Sequence, residues 1–191
     1  MTPAHEFILG GQKSGKSRRA EQRAIDWLAE APGARRAVLI ATAQAHDAEM
    51  RARIARHQAD RAGRVPAMRT VEEPVELARA IVSHSAPDTL VVVDCLTLWL
   101  TNLLMPLRDA HARPATRTPE LHAGMLQRAL RDARGPLVLV GNEIGLGVIP
   151  LGRETRAFVD ALGRLNQEVA AACGRVTLMA AGLPLTLKAP A

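Results

Sequence analysis

The sequence predicts an α/β fold in which helices cover both faces of a mostly parallel sheet. Short apolar runs, several of them β-branched, alternate along the 191-residue chain with longer helix-compatible segments, and this alternation is typical of parallel sheets. A glycine-rich turn separates the first apolar run from the first helical segment, where a phosphate-binding loop belongs. The chain is long enough to bury one core without disulfides or a structural metal. We therefore expect residues 1–191 to form a single phosphate-loop NTPase-like domain.

Four strand–helix pairs are predicted in the first 104 residues. Apolar runs mark the strands, and the run at 88–94 is the strongest because both of its faces are apolar. Glycine and proline mark turns, Asp47 is the expected N-cap of the second helix, and Gly63 and Pro66 are expected to end that helix. In order, the predicted elements are strand 7–9, helix 16–30, strand 37–41, helix 47–61, strand 68–71, helix 75–84, strand 88–94 and helix 96–104.

The remainder of the chain continues the alternation after one interruption. Residues 106–119 contain Pro, Arg, Ala, Thr and His without a period, which predicts a surface loop. The later loop 141–150 follows a strand end, at the sheet edge where ligands gather, and either contacts a ligand or forms a glycine-dependent turn. The other predicted elements are helix 120–133, strand 136–141, helix 153–173 and a last inner strand at 176–180.

Composition narrows the classes of function. A net charge of +6 suits anionic ligands, whereas 2% aromatic content without tyrosine argues against a base-stacking surface for nucleic acid. The two cysteines, Cys95 and Cys173, lie far apart in apolar surroundings, as in a reducing compartment. The sequence contains no signal-peptide pattern and no apolar run of about 18 residues. We therefore expect a cytoplasmic protein without a membrane span.

Residues Gly10 to Ser17 read G-G-Q-K-S-G-K-S and match the phosphate-loop pattern G-x-x-x-x-G-K-[ST]. In such a loop the glycines turn successive backbone amides inward, and the helix N-terminus adds a partial positive charge. Lys16 can reach the outer phosphates, and the Ser17 hydroxyl can bind magnesium. This stretch predicts a site for a nucleoside triphosphate.

Four further residues are candidates for chemistry, each with an ordinary alternative. Asp94 ends a buried strand and suits a second magnesium ligand, although such an acid can also cap the next helix. His57 lies near four arginines and is either a solvated surface histidine or a nucleophile toward phosphorus. Glu72 and Glu73 can accept hydrogen bonds from a guanine ring or a ribose, or serve as first-turn acids of a helix. From the sequence alone, neither role of these two acids can be preferred.

Together the residues resemble one family along nearly the full length of the chain: the bifunctional adenosylcobinamide kinase/adenosylcobinamide-phosphate guanylyltransferases of cobalamin biosynthesis. Eight ordered stretches carry the resemblance. They are Gly10-Gly11-x-x-Ser14-Gly15-Lys16-Ser17; Ile40-Ala41-Thr42-Ala43-Gln44; Asp47-x-Glu49-Met50 with Arg53-Ile54-x-x-His57-x-x-x-Arg61; Thr70-Val71-Glu72-Glu73-Pro74; Asp94-Cys95-Leu96-Thr97-Leu98-Trp99-Leu100-Thr101-Asn102; Asn142-Glu143-x-Gly145-x-Gly147-x-x-Pro150; Arg156-x-Phe158-x-Asp160-x-x-Gly163-x-x-Asn166-Gln167; and Ala181-Gly182-Leu183-Pro184-Leu185-x-x-Lys188.

The resemblance implies two reactions at overlapping sites. In the first, the γ-phosphoryl group of ATP or GTP passes to the hydroxyl of the aminopropanol arm of adenosylcobinamide, with Mg²⁺ and Lys16 offsetting charge. In the second, a histidine attacks the α-phosphorus of GTP, expels pyrophosphate, and passes the bound GMP to adenosylcobinamide phosphate. By position the guanylylated histidine is His57. The resemblance also implies a homotrimer with the nucleotide near a subunit boundary.

The same resemblance implies the remaining site residues. Ser17 and Asp94 are the expected magnesium ligands, and Lys16 and His57 the expected catalytic groups. The expected nucleotide-binding residues are Gly10, Gly11, Gln12, Lys13, Ser14, Gly15, Lys16, Ser17, Thr42, Ala43, Gln44, Gln58, Ala59, Asp60, Arg61, Glu72 and Asp94.

The sequence departs from the family pattern behind the histidine. Some members have two consecutive histidines where this chain has Arg56-His57, and the segment 61–68 is longer and lacks a tryptophan that members commonly have. Two other functions stay open from the residues: a phosphate-loop small-molecule kinase without guanylyl transfer, and a nucleotide-binding regulatory ATPase or GTPase. No local pattern marks the contacts to the corrinoid.

Overall fold

The computed structural model describes residues 5–106 and 118–189. Most of the predicted loop at 106–119 lies outside the described residues. Within them the chain forms, in order, β1 (Glu6–Gly10), α1 (Lys16–Glu30), β2 (Arg36–Ala41), α2 (Ala48–Arg64), β3 (Met68–Glu72), α3 (Leu77–His84), β4 (Thr89–Asp94), α4 (Leu96–Leu104), α5 (Pro119–Asp132), β5 (Leu137–Asn142), α6 (Arg153–Ala172), β6 (Arg175–Ala180) and β7 (Leu183–Lys188).

The strands form one sheet in the order β3-β2-β4-β5-β1-β6-β7. The strands β1 to β6 pair in parallel, so their carboxyl ends meet at one edge. Gly10 at the end of β1 lies opposite Asn142 of β5 and Met179 of β6. The predicted α/β class with a mostly parallel sheet is confirmed.

Alternation along the strands divides the core between the two faces of the sheet. Phe7 and Leu9 pack in one cluster with residues of α3, α4, α5 and α6. Ile8, between them, packs in the other cluster with residues of α1. Helices therefore cover both faces, as the alternating sequence pattern predicted. Among the described residues no helix is both long and apolar enough to cross a bilayer.

The predicted last inner strand at 176–180 corresponds to β6, and one further strand, β7, was not predicted. β7 pairs antiparallel with β6 and forms the edge of the sheet. It follows a tight turn in which Ala181 and Gly182 have φ angles of 50° and 80°. All six residues of β7 are exposed, including the alternating Leu183, Leu185 and Leu187, so the strand lacks the buried apolar run by which the other strands were recognised.

Among the helix boundaries that differ from prediction, two have clear local reasons. Helix α2 continues through Gly63 to Arg64, because Arg64 forms an ion pair with Glu21 of α1 that holds the last turn. Helix α3 begins at Leu77 instead of residue 75. The Glu73 carboxylate accepts hydrogen bonds from the amides of Val75 and Glu76, which keeps that segment in a turn. The predicted N-cap Asp47 is confirmed, since its carboxylate accepts a hydrogen bond from the Met50 amide at 2.6 Å.

Candidate functional site

The phosphate loop joins β1 to α1 at the carboxyl edge of the sheet. Gly15 caps α1 with a φ of 98° and provides no side chain to bond the first amides of the helix. Those amides have no acceptor within the helix and can bind an anion. Gly10 is required at the start of the loop, because a Cβ there would lie 2.5 Å from the Met179 carbonyl oxygen and 2.6 Å from Ser14 Oγ.

Lys16 places its ammonium inside this loop. Its Nζ donates to the Gly11 carbonyl oxygen and lies 3.4 Å from Ser14 Oγ. Lys16 is buried, and burial lowers its pKa, as does the charge of Arg53, whereas Asp94 and Cys95 act in the opposite direction. The lysine is therefore a partly desolvated cation at the position where the phosphates of a nucleotide would lie.

Ser17 and Asp94 form a pair beside the loop. The Ser17 hydroxyl donates a hydrogen bond to the Asp94 carboxylate. Burial raises the pKa of Asp94, and the Ser17 hydrogen bond and the positive charges of His57 and Arg61 partly oppose this rise. The N-cap of α4 is Cys95, so Asp94 does not have the helix-capping role that the sequence left open.

A hydroxyl and a carboxylate are oxygen ligands of the kind that Mg²⁺ prefers, and a nucleotide site needs few more from the protein because phosphates and waters complete the shell. The Ser17–Asp94 pair fits that requirement. Within 5–106 and 118–189 no group of three or more His, Cys, Asp or Glu side chains is placed to hold a metal by itself.

One face of α2 borders the phosphate loop and the Asp94 carboxylate. Arg53, His57 and Arg61 are spaced four residues apart and so share this face. The charges of His57 and Arg61 act on Asp94, and that of Arg53 acts on Lys16. His57 is exposed, whereas Arg61 is buried. The face thus combines an accessible imidazole with guanidinium groups that can bind phosphate.

A cleft of about 470 Å³ lies between α2 and β3. Its polar lining includes Gln58, Arg61 and Glu72, and its apolar lining includes Val65 and Met68. Gln58 Nε2 donates to Glu72 Oε1 at 3.3 Å. An apolar wall with an amide and a carboxylate at one side is suited to a heterocyclic base.

The two adjacent acids that the sequence could not distinguish have different surroundings. Glu72 is exposed at the cleft. Glu73 is buried, and its Oε1 accepts hydrogen bonds from the amides of Val75 and Glu76 at 3.1 and 2.9 Å. Glu73 therefore organises the turn before α3, and Glu72 is the acid available to a ligand.

Thr42 lies at the end of β2 with its polar groups bonded inside the protein. Its hydroxyl donates to the Cys95 carbonyl oxygen at 2.7 Å and accepts from the Cys95 amide at 2.9 Å. The Thr42 carbonyl oxygen accepts from Asn102 Nδ2 at 2.8 Å. The threonine thus links the end of β2 to the chain that follows Asp94, which makes it a support for the site.

The other predicted nucleotide-binding residues lie at several places around the loop. Ala43 and Gln44 are partly exposed just beyond Thr42. Gln12 and Lys13 are exposed in the phosphate loop. Ala59 and Asp60 are exposed on α2 but do not line the cleft, and an Asp60 oxygen lies 3.8 Å from Arg64 Nη1.

Two groups that support the site have no role in the sequence analysis. Glu21 pairs with Arg64 through Nε at 2.6 Å and Nη2 at 3.3 Å, and its charge also acts on Asp94. Asn102 bonds the carbonyl oxygens of both Thr42 and Pro74. Glu21 stands one helical turn after Ser17, a spacing that points to the same helix face. Asn102 carries no comparable sequence signal.

Comparison with known proteins identifies the family that the chain resembles. The family model described as "Cobinamide kinase / cobinamide phosphate guanyltransferase" matches residues 6–187. A bifunctional adenosylcobalamin biosynthesis protein CobP of Pseudomonas aeruginosa is 45% identical over 186 residues, covering 96% of each chain. A bifunctional adenosylcobalamin biosynthesis protein CobU of Escherichia coli K12 is 35% identical over 190 residues, covering 95% of this chain and 98% of that protein.

A solved structure supports the fold alone. The crystal structure of the flagellar accessory protein FlaH from Methanocaldococcus jannaschii superposes with a TM-score of 0.51 at 10% sequence identity. The match covers 98% of this chain and 79% of that one.

Proposed function

The chain belongs to the cobinamide kinase / cobinamide phosphate guanyltransferase family, and we propose that His57 is the residue that carries GMP in its second reaction. The chain is accordingly a bifunctional enzyme of cobalamin biosynthesis. The observation that carries the proposal is the position of His57 on α2, close enough to the Asp94 carboxylate beside Ser17 to act on it. One bound nucleotide can then meet the phosphate loop and the imidazole together.

In the kinase reaction the phosphate loop holds the triphosphate of ATP or GTP. Lys16 binds the outer phosphates and offsets the charge that spreads over the transferring γ-phosphoryl group. Ser17 and Asp94 would hold Mg²⁺, which supplies charge neutralisation when bound. The hydroxyl oxygen of the aminopropanol arm of adenosylcobinamide forms the new P–O bond as the bond between the γ-phosphorus and the β–γ bridging oxygen breaks. The nucleoside diphosphate leaves, and the hydroxyl proton is released.

In the guanylyl transfer the neutral imidazole of His57 attacks the α-phosphorus of GTP. The electron pair of an imidazole nitrogen forms the P–N bond as the P–O bond between the α-phosphorus and pyrophosphate breaks. A phosphate oxygen of adenosylcobinamide phosphate then displaces the imidazole, which gives adenosylcobinamide-GDP and the free histidine. Arg53 and Arg61 flank His57 by one helical turn on either side and bind the phosphates during both steps.

The guanine base fits the cleft between α2 and β3. The Glu72 carboxylate can accept hydrogen bonds from N–H groups of guanine, and the Gln58 amide lies within 3.3 Å of that carboxylate. The base then lies beside Arg61, one turn from His57. We also propose that the enzyme assembles as a homotrimer, which sedimentation would detect as three times the 20.5 kDa chain mass.

The covalent step is tested by incubating the purified enzyme with Mg²⁺ and GTP labelled at the α- or the γ-phosphate. Denatured wild-type protein should carry acid-labile, base-stable label from the α-position only. His57→Ala should carry none. His84→Ala, at the end of α3, is the control and should label as the wild type does. Label that never attaches, or that attaches equally to His57→Ala, would contradict the choice of His57.

A further inference from the structure

The loop between β5 and α6 presents an apolar surface to solvent. Residues 144–151, here called the apolar loop, read I-G-L-G-V-I-P-L and contain no ionisable side chain. Leu146 is 82% exposed, Val148 97%, Ile149 77% and Leu151 97%. So many large apolar side chains exposed in one short segment are typical of a binding surface.

Hydrogen bonds hold both ends of the apolar loop. At its start, Glu143 Oε1 accepts from the Gly145 amide at 2.7 Å. At its end, Arg156 of α6 donates to the carbonyl oxygens of Pro150 and Leu151. The exposed side chains are therefore presented from a fixed base.

The apolar loop begins beside the phosphate loop. The Glu143 amide donates to the Gly10 carbonyl oxygen at 3.2 Å. Two different surfaces thus border the phosphate loop: the cationic face of α2, and the apolar loop after β5. The cationic face of α2 can bind phosphates, whereas the apolar loop lacks the charges needed to bind a nucleotide.

We propose that the apolar loop binds the corrin ring of cobinamide, an inference that rests on the proposed function. The acceptor must bring one hydroxyl to the γ-phosphate, so its binding surface has to adjoin the phosphate loop. A corrin ring has broad apolar faces and a rim of amide arms. Leu146 and Val148 cover a face of the ring by burying their apolar surface.

A small cavity next to the apolar loop suits the rim of the same ligand. Its volume is about 160 Å³, and its lining includes Val148, Arg156 and Asp160. It is too small for the ring. An amide arm of the ring can enter it, because the guanidinium provides hydrogen-bond donors and the carboxylate provides acceptors.

The test is the double variant Leu146→Ser/Val148→Ser, with cobinamide binding measured by equilibrium dialysis and visible absorbance. Loss of two apolar side chains that the bound ring would cover should weaken binding by about tenfold or more. The KM for cobinamide should rise, while labelling of His57 from α-labelled GTP stays unchanged because that step needs no corrinoid. The control Val82→Ser removes a 59% exposed side chain from α3 and should change neither value.

The outcomes separate this inference from the proposed function. Wild-type enzyme that neither binds nor phosphorylates cobinamide would overturn both. Wild-type binding with unchanged affinity in the double variant would overturn the role of the apolar loop alone. A double variant that loses self-association in sedimentation, yet keeps its cobinamide affinity, would assign the apolar loop to a subunit interface and would also overturn the proposal.

Discussion

At the scale of single residues, the surroundings of a side chain decide its role more than its type does. Glu72 and Glu73 are identical neighbours, yet one is exposed at the cleft and the other is buried against backbone amides. Lys16 differs from an ordinary surface lysine in the same way, because it is buried among the carbonyl and hydroxyl oxygens of its own loop.

The two acids give a matched pair of variants. Glu72→Ala should raise the KM for GTP and slow the labelling of His57 with little change in stability, because the lost carboxylate is exposed. Glu73→Ala should lower the free energy of unfolding by about 1–3 kcal/mol, because two amides lose their acceptor. Nucleotide kinetics and urea unfolding measure these effects. Equal effects of the two substitutions on stability would contradict the separation of roles.

Lys16→Ala should lower kcat/KM for phosphoryl transfer to cobinamide by at least about 100-fold, because the transferring group loses its main cationic partner in the loop. Lys188→Ala is a suitable control, since Lys188 lies on the edge strand β7 and bonds carbonyl oxygens of α6. The measurement is steady-state kinase activity. A near-normal rate for Lys16→Ala would contradict the site as described.

At the scale of elements, the site depends on how α2 is docked. Within α2, Arg61 is the single buried residue. The ion pair of Arg64 with Glu21 attaches its last turn to α1, the helix that begins with Lys16 and Ser17. The position of His57 relative to Asp94 therefore depends on a contact two turns further along the helix.

Removing this contact should affect both stability and guanylyl transfer. Arg64→Ala leaves Glu21, only 5% exposed, without its guanidinium, so we expect a loss of about 1–3 kcal/mol in unfolding free energy. Misplacement of α2 should slow the labelling of His57 by about tenfold. The control Arg51→Ala, on the first turns of α2, should change neither.

A second substitution distinguishes docking from general damage. Adding Glu21→Gln to Arg64→Ala removes the unpaired buried charge and should restore part of the stability. The labelling rate should stay low, because the link between the two helices is still absent. Full recovery of the rate in the double variant would contradict the positioning role.

At the scale of the whole molecule, the parallel sheet brings distant segments to one edge. The phosphate loop follows β1, Asp94 ends β4, and the apolar loop follows β5, and these strands are neighbours in the sheet. At the opposite edge, His5 ties the start of β1 to other parts of the chain. Its Nε2 lies 2.9 Å from the Leu130 carbonyl oxygen, and its Nδ1 accepts from the Leu137 amide at 3.2 Å.

His5 makes the stability of the fold depend on pH. Burial lowers its pKa below the ordinary 6.5, partly opposed by the Leu130 hydrogen bond. The unfolded state therefore binds the proton more readily, and stability falls as the pH drops below about 6.5, by up to about 1.4 kcal/mol per pH unit until the folded pKa is reached. A protonated Nδ1 would also face the Leu137 amide donor-to-donor.

The measurement is the free energy of unfolding by urea between pH 7.5 and pH 5. The wild type should lose more stability over this range than His5→Gln, whose amide does not titrate. Parallel curves for the two proteins would show that His5 does not control the pH dependence.

Sequence patterns were sufficient for the parallel elements because each buried strand is a short apolar run and most of the connections contain glycine or proline. Helices α1 and α4 have the bounds that were predicted. The edge strand β7 was not predicted, because its alternating leucines are exposed and do not form a buried apolar run, and the strand is defined by its pairing with β6. The last turn of α2 escaped prediction for a similar reason, since a partner on another helix stabilises it.

The sequence by itself determined the phosphate loop and the family, because spacing and residue type along the chain are enough to define a motif. Only the tertiary structure decided which of Glu72 and Glu73 lies at the cleft, that Thr42 bonds within the protein, and that the apolar loop begins beside Gly10. The physical reason is that a motif is local, whereas burial and hydrogen-bond partners depend on segments far apart in the chain that the sheet brings together.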